Sequence, residues 1–266
     1  MSESLGLAGV LGAAIGALLG LTGAGGGVLA MPALMLGLGM SLPTAVPVSL
    51  CAVALAATLG ALQGLRRGIV RYRAAALMAL LGVLTAPAGL WLGHQVPQAV
   101  LTVVFCALML YLAARMLRRP PAGASAGALE RNCMLDPASG RFRWNARCSA
   151  TLGGIGATAG LFTGMLGVGG GFLIVPAFRQ FSDLSMQAAG ATSLAVIALV
   201  SATTVSGTLL HGTRIGPVGI SFIVATAAGM LLARLMAPKV PERWLQRGLG
   251  LVILAVALGW LGKQFL

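Results

Sequence analysis

Long apolar runs separated by short polar turns occupy most of the chain. Stretches of the length needed to cross a bilayer recur at residues 45–65, 74–93, 98–116, 149–166, 186–210, 217–235 and 244–261, since about 20 residues span a hydrocarbon core of roughly 30 Å. None shows the ten-residue alternation of a transmembrane barrel strand, so the pattern predicts helices. Two apolar regions, 5–40 and 149–182, carry glycine clusters: Gly23-Ala24-Gly25-Gly26-Gly27 and Gly167-Val168-Gly169-Gly170-Gly171. Three adjacent glycines break a helix through their backbone entropy, and the restarting helix leaves N–H groups free. The segment after the first cluster, 28–39, has 12 residues, about 18 Å of helix at 1.5 Å per residue, well short of a full crossing.

The two clusters are copies of each other. A shift of 144 positions carries Gly12, Gly16, Gly20, Gly23, Gly25, Gly26, Gly27, Leu29, Pro32 and Ala33 onto Gly156, Gly160, Gly164, Gly167, Gly169, Gly170, Gly171, Leu173, Pro176 and Ala177. Without a gap it also carries Ala45, Ser49 and Leu50 onto Ala189, Ser193 and Leu194. An internal duplication in an apolar chain points to a transporter. The repeats are expected at 1–117 and 148–266. Between them, residues 118–147 form a polar Arg/Pro/Gly-rich linker too poor in large apolar residues to build a core.

Composition turns these runs into membrane spans: 58% hydrophobic and 9% charged residues, with a mean hydropathy of +0.95, exclude a soluble domain, where about 25% of residues are charged. The net charge of +13 speaks for topology and not for nucleic acid, because the basic residues cluster between spans. Arg66, Arg67, Arg71 and Arg73 form one such loop, the linker arginines a second, and Arg234, Lys239, Arg243 and Arg247 a third. If all three are cytoplasmic, 186–210 must leave the cytoplasm while its repeat mate 45–65 enters it, and the repeats are inverted. Each cassette region must then contribute an even number of crossings, as two helices or as one re-entrant hairpin. Length favours the hairpin, and a single broken span would make the repeats parallel. The expected fold is an all-α polytopic membrane protein of two homologous, inverted repeats with about 8–10 transmembrane or half-membrane helices and two Gly-broken regions. With Cys133 and Cys148 flanking a cytoplasmic linker, no structural disulfide is expected. Glu3 stands before the first apolar stretch and no basic residue does, so that stretch is expected to remain as a helix.

The series Gly12, Gly16, Gly20 and its mate Gly156, Gly160, Gly164 read as small-residue packing seams. The triple glycines exceed what a seam needs, and a helix start with free N–H groups attracts an anion. Thr22, Thr163, Ser49, Ser193, Thr192, Gln63, Thr203 and Thr204 place hydroxyls or an amide inside apolar spans. Most can bond their own helix, but Ser49 and Ser193 are symmetry mates. The candidate substrate-binding set is Gly25, Gly26, Gly27, Gly169, Gly170, Gly171, Ser49, Ser193, Thr22 and Thr192. His94, His211 and Arg214 read as interfacial residues. No ligand spacing suggests a metal, no nucleophile–base–acid set suggests an enzyme, and no cofactor is expected. The five acidic residues, Glu3, Glu130, Asp136, Asp183 and Glu242, lie in loops or ends, so coupling through a buried carboxylate is not expected. An anion could leave down the inside-negative potential, worth about 2.3 kcal/mol per charge at 100 mV.

The segment Gly164-Met165-Leu166-Gly167-Val168-Gly169-Gly170-Gly171-Phe172-Leu173-Ile174-Val175-Pro176, with its weaker copy before Pro32, resembles the signature of the sulfite exporter TauE/SafE family over nearly the whole chain except the linker. Thr22 and Ala24 depart from Leu166 and Val168 of the second copy. The resemblance implies a multi-pass permease of the bacterial inner membrane handling sulfite, sulfoacetate or related sulfur-containing anions. Its implied partners are that anion and the lipid bilayer, and a homo-oligomer is compatible with it. Export is the favoured direction; an anion channel, an importer and a non-transporting scaffold built on the linker stand as rivals.

Overall fold

Apolar runs without alternation fold as helices, and the computed structural model, which describes residues 2–23, 26–118, 133–134, 142, 144–182, 184–210, 215–236, 248 and 250–259, is helical almost throughout. In the first half, α1 spans Ser2–Thr22 and α2 spans Gly27–Pro32, continuing into a π-helical turn at Ala33–Gly37. α3 (Leu42–Arg66), α4 (Tyr72–Gln95) and α5 (Gln98–Arg118) complete that half. The second half gives α6 (Ala146–Leu166), α7 (Gly171–Phe181), α8 (Met186–Leu210) and α9 (Pro217–Met236). A further helical stretch covers Gly250–Gly259; the rest of the expected span 244–261 lies outside the described residues, as do most of the linker, Gly25, His211 and Arg214. Five helices, α1, α3, α4, α8 and α9, are long and apolar enough to cross a membrane. α4 and α9 turn Leu80, Leu84, Trp91, Val224, Leu232 and Leu235 outward, while α4 buries Ala74, Ala75, Ala79, Gly82, Ala86 and Gly89. Large apolar side chains outside and small ones inside suit a helix bathed in lipid.

The glycine series decide which helices pair. On α1, a Cβ at Gly12 would stand 2.6 Å from the Phe222 carbonyl oxygen, and one at Gly20 2.6 Å from that of Met230. Gly16 between them meets the Thr226 carbonyl. In the second half Gly156, Gly160 and Gly164 meet the carbonyls of Met78, Gly82 and Ala86 in the same way. Both the glycines and their partners are related by the shift of 144 positions. Each half therefore lays its first helix against the fourth helix of the other, α1 on α9 and α6 on α4. Thr85 Oγ1 adds an interhelical bond of 2.8 Å to the Ala157 carbonyl. At the equivalent place Gly229 faces Ala13.

The numbering of these contacts gives the helix directions. Positions on α1 rise with those on α9, so the two run parallel, and α6 runs parallel to α4. Gly219 near Val48 and the Arg234 Nη1–Gly60 carbonyl hydrogen bond make α3 parallel to α9. Gly60 near Leu194 and Gly64 near Ala191 make α3 antiparallel to α8. Since α1 and α3 share a direction, Gly27–Gly37 is the return between them, and α7 plays that part between α6 and α8. Arg66, Arg67, Arg71, Arg73, Arg147 and Arg234 consequently gather at one end of the bundle.

The expectation of no structural disulfide is overturned. Cys133 and Cys148 are bonded, with Cα atoms 4.9 Å apart. The Cys133 N–H donates to the Phe181 carbonyl at 3.0 Å, and a parallel bridge links Cys133 to Ser182. Phe142 stacks on Phe178 with centroids 6.5 Å apart. These contacts hold the end of the linker over the C-terminus of α7, beside the first turn of α6 where Cys148 lies. Reasoning from the compartment had no access to that proximity.

Gly160→Val should force α4 and α6 apart at a cost of about 1–3 kcal/mol or more. Thermal unfolding of the purified protein in detergent should show a lower midpoint, whereas Gly154→Val, with no atom near its Cβ position, should leave it unchanged. Cys133→Ser should also lower the midpoint measured without reductant, because the pair closes a loop of 15 residues, an effect of about 3 kcal/mol. The difference from wild type should vanish once both are reduced.

Candidate functional site

The interruption between α6 and α7, and the described residues on either side of the one between α1 and α2, have definite geometry. α1 closes with the Gly23 N–H on the Leu19 carbonyl at 2.9 Å, and Gly26 then packs without a Cβ against the backbone of Leu18 and Leu19. α6 closes in the same way, with the Gly167 N–H on Thr163 at 2.9 Å. Gly169 and Gly170 follow with φ of 78° and 58°, left-handed values that cost an L-residue roughly 1–2 kcal/mol. A Cβ on Gly170 would also collide with the Ala159 carbonyl and the Thr163 hydroxyl. The second cluster thus requires glycine for backbone conformation and for space.

The two clusters meet. A Cβ at Gly27, the first residue of α2, would lie 3.5 Å from the Val168 carbonyl and 3.6 Å from Val53 Cγ1. One at Gly169 would lie 2.8 Å from the same Val53 atom and 3.4 Å from both Ile197 Cγ2 and Ser201 Oγ. Val53 and Ile197 are symmetry mates near the midpoints of the 25-residue helices α3 and α8. Glycines from both halves therefore converge halfway along the central antiparallel pair.

Around this point most hydroxyls are committed to their own helices. Thr22 Oγ1 donates to the Leu18 carbonyl at 2.6 Å, and Thr163 Oγ1 to Ala159 at 2.7 Å. Thr192 Oγ1 donates to Ala188 at 2.7 Å and accepts the Arg71 N–H at 3.1 Å. Ser193 Oγ bonds the Gly190 carbonyl at 2.8 Å and reaches the Gly23 carbonyl at 3.4 Å, tying α8 to the end of α1. Ser49, its mate, is fully buried with no partner for its Oγ, and Ser201 is in the same state. Among the described residues these are the buried side-chain hydroxyls left unpaired. Of the sequence-derived set, the structure brings Gly27 and Gly169 together, sets Gly26, Gly170 and Gly171 beside them, and leaves Ser49 unbonded. Thr22, Thr192 and Ser193 hold backbone. Ser201 escaped the sequence reading because its mate is Ala57, so symmetry gave it no weight. Among the described residues no three His, Cys, Asp or Glu side chains gather as metal ligands.

The chain matches the family model described as Sulfite exporter TauE/SafE over residues 8–259. It is 30% identical over 253 residues to a "Probable membrane transporter protein" of Xylella fastidiosa (strain 9a5c), covering 93% of this chain and 91% of that one. A protein of the same description from Xylella fastidiosa (strain Temecula1 / ATCC 700964) is 31% identical over 254 residues, with the same coverage. No solved structure gives a significant match. The chain belongs to the sulfite exporter TauE/SafE family and is a multi-pass membrane transporter.

A buried hydroxyl without a partner costs about 1–3 kcal/mol. Ser49→Ala should therefore unfold at the wild-type temperature or above it in the absence of anion. Ser193→Ala, which loses two carbonyl partners, should unfold lower. A Ser49→Ala midpoint well below wild type would mean that this hydroxyl is bonded in the folded protein.

Proposed function

We propose that this chain is a secondary transporter of the bacterial inner membrane that carries small sulfur-containing oxyanions such as sulfite or sulfoacetate, with export as its working direction. The observation that carries this reading is the convergence of the two glycine clusters at the midpoints of α3 and α8, next to buried hydroxyls that lack partners. Irregular backbone at such depth is tolerated where it is enclosed by protein or lines a wet cavity, and transporters put their sites at such breaks. Gly26, Gly27, Gly169 and Gly170 would expose backbone N–H groups to the anion, Gly25 would extend that set, Gly171 would line the site with its N–H held by the Gly169 carbonyl at 2.7 Å, and Ser49 would add a hydroxyl donor.

The antiparallel course of α3 and α8, which the 144-residue shift makes equivalent, supports inverted repeats. The shared direction of α1 and α3 supports a re-entrant return at each cassette. The arginines Arg66, Arg67, Arg71, Arg73, Arg147 and Arg234 favour the cytoplasm for the end of the bundle that bears them, while the Cys133–Cys148 bond at that same end favours an oxidising compartment. Arginines at that end would attract anions from the cell interior. Apart from Glu3 at the start of α1, helices α1 to α9 contain no Asp or Glu, which favours transport driven by the anion's own charge over proton coupling. The same absence favours an anion channel as the second reading. Saturation separates the two.

Labelled sulfite, and separately sulfoacetate, should enter liposomes holding the purified protein when a potential of the attracting sign is imposed without a proton gradient. The flux should saturate with concentration, and Gly170→Leu should abolish it while remaining membrane-inserted. Flux that appears only with a proton or sodium gradient would overturn the uncoupled mechanism, and unaltered flux through Gly170→Leu would remove the cassettes from the transport path.

A further inference from the structure

We infer that the anion is held asymmetrically, by the second cassette together with the Ser201 hydroxyl of α8, and that Ser201 selects for an –SO3 group; this rests on the transport reading above. Ser201 is fully buried and its Oγ has no partner. A serine inside a helix ordinarily satisfies itself on a carbonyl three or four residues back. Its neighbours do so: Thr192, Ser193, Thr203 and Thr204 bond to Ala188, Gly190, Val200 and Val200. Ser201 does not, and its oxygen lies 3.4 Å from the Cβ position of Gly169. That hydroxyl faces the break from which α7, a helix of 11 residues, departs.

The first half has no hydroxyl at the equivalent position. The mate of Ser201 is Ala57, equally buried and without a donor. The mate of α7 is the equally long stretch Gly27–Gly37, which turns π-helical at Ala33. The second half therefore sets an unpaired hydroxyl against its own cassette at Gly169, where the mated position Ala57 has none; the unpaired hydroxyl of the first half, Ser49, stands elsewhere on α3. The donor is neutral and directional. It suits an acceptor oxygen of an anion whose charge is met by the α7 N-terminus. Sulfite and the sulfonate end of sulfoacetate share that group, so both should feel Ser201.

The test uses binding and flux in parallel on the full-length protein. Thermal stabilisation by sulfite and by sulfoacetate is measured in detergent, with chloride as the reference anion, for wild type, Ser201→Ala, Ser201→Thr and the lipid-side control Thr203→Val. Half-saturation of flux is measured in liposomes for the same set. Ser201→Ala should raise the concentration needed for half-maximal stabilisation by either sulfur anion about tenfold, the usual effect of losing one hydrogen bond to a charged group. Ser201→Thr should restore it, and Thr203→Val should match wild type. A Ser201→Ala titration that overlays wild type overturns the inference, and so does a wild-type protein that neither sulfur anion stabilises. Stabilisation of wild type but not of Ser201→Ala, without flux in liposomes, supports the inference while rejecting transport of these anions. Parallel effects on both sulfur anions confirm the shared group, whereas an effect on chloride alone overturns it.

Discussion

In hydrocarbon two helices gain no hydrophobic free energy by meeting, so what holds them is the closeness with which their surfaces fit. Backbone-to-backbone approach along Gly12, Gly16, Gly20 and along Gly156, Gly160, Gly164 is the contact on which this molecule depends. Each glycine accepts a carbonyl of the facing helix into the place where a Cβ would be. The seams fix α1 and α6, and both cassettes spring from the ends of those two helices. Gly26 folds back on Leu18 and Leu19, Gly170 on Ala159 and Thr163. The position of the central glycines is in this way inherited from seams that lie outside the centre.

Much of this was legible as pattern. The spacing of the seam glycines marked them as packing positions before any partner was known, and the 144-residue shift relates the two seams and their partners. The partner was not legible, because small residues every fourth position describe a groove without saying what fills it. That α1 lies on α9, and not on a neighbour in its own half, required coordinates. The paired Cys133 and Cys148 were missed because the bond depends on where the linker's end docks, through the Phe181 carbonyl and the Phe142–Phe178 stack. Within the candidate site, symmetry pointed to Ser49 and Ser193 together. The structure separates them, since Ser193 serves as a tie to Gly190 and Gly23 while Ser49 is left unbonded.

The two halves also differ beside their cassettes. Thr22 bonds back to Leu18 at the end of α1, whereas Leu166 occupies the same place on α6 with no hydroxyl. After Pro32 the helix widens into a π-turn, and Leu34 takes the N–H groups of both Leu38 and Met40. After Pro176 the helix continues without that change. Proline removes a donor in both copies, so the surroundings decide how the chain adjusts. A duplicated frame with unequal centres permits one half to hold a ligand while the other serves as the surface it is held against.

Both glycine seams are made between the halves and neither within one. A half-length chain alone would leave the grooves on its first and fourth helices unfilled, and each groove is shaped for the other helix of an identical chain. Such a chain would be complete only as a two-fold pair, with stability tied to its concentration as in any obligate dimer. In the single chain that encounter is an intramolecular contact. In a single chain a difference such as Ser201 against Ala57 occurs once, whereas in a two-fold pair of identical chains it would occur twice.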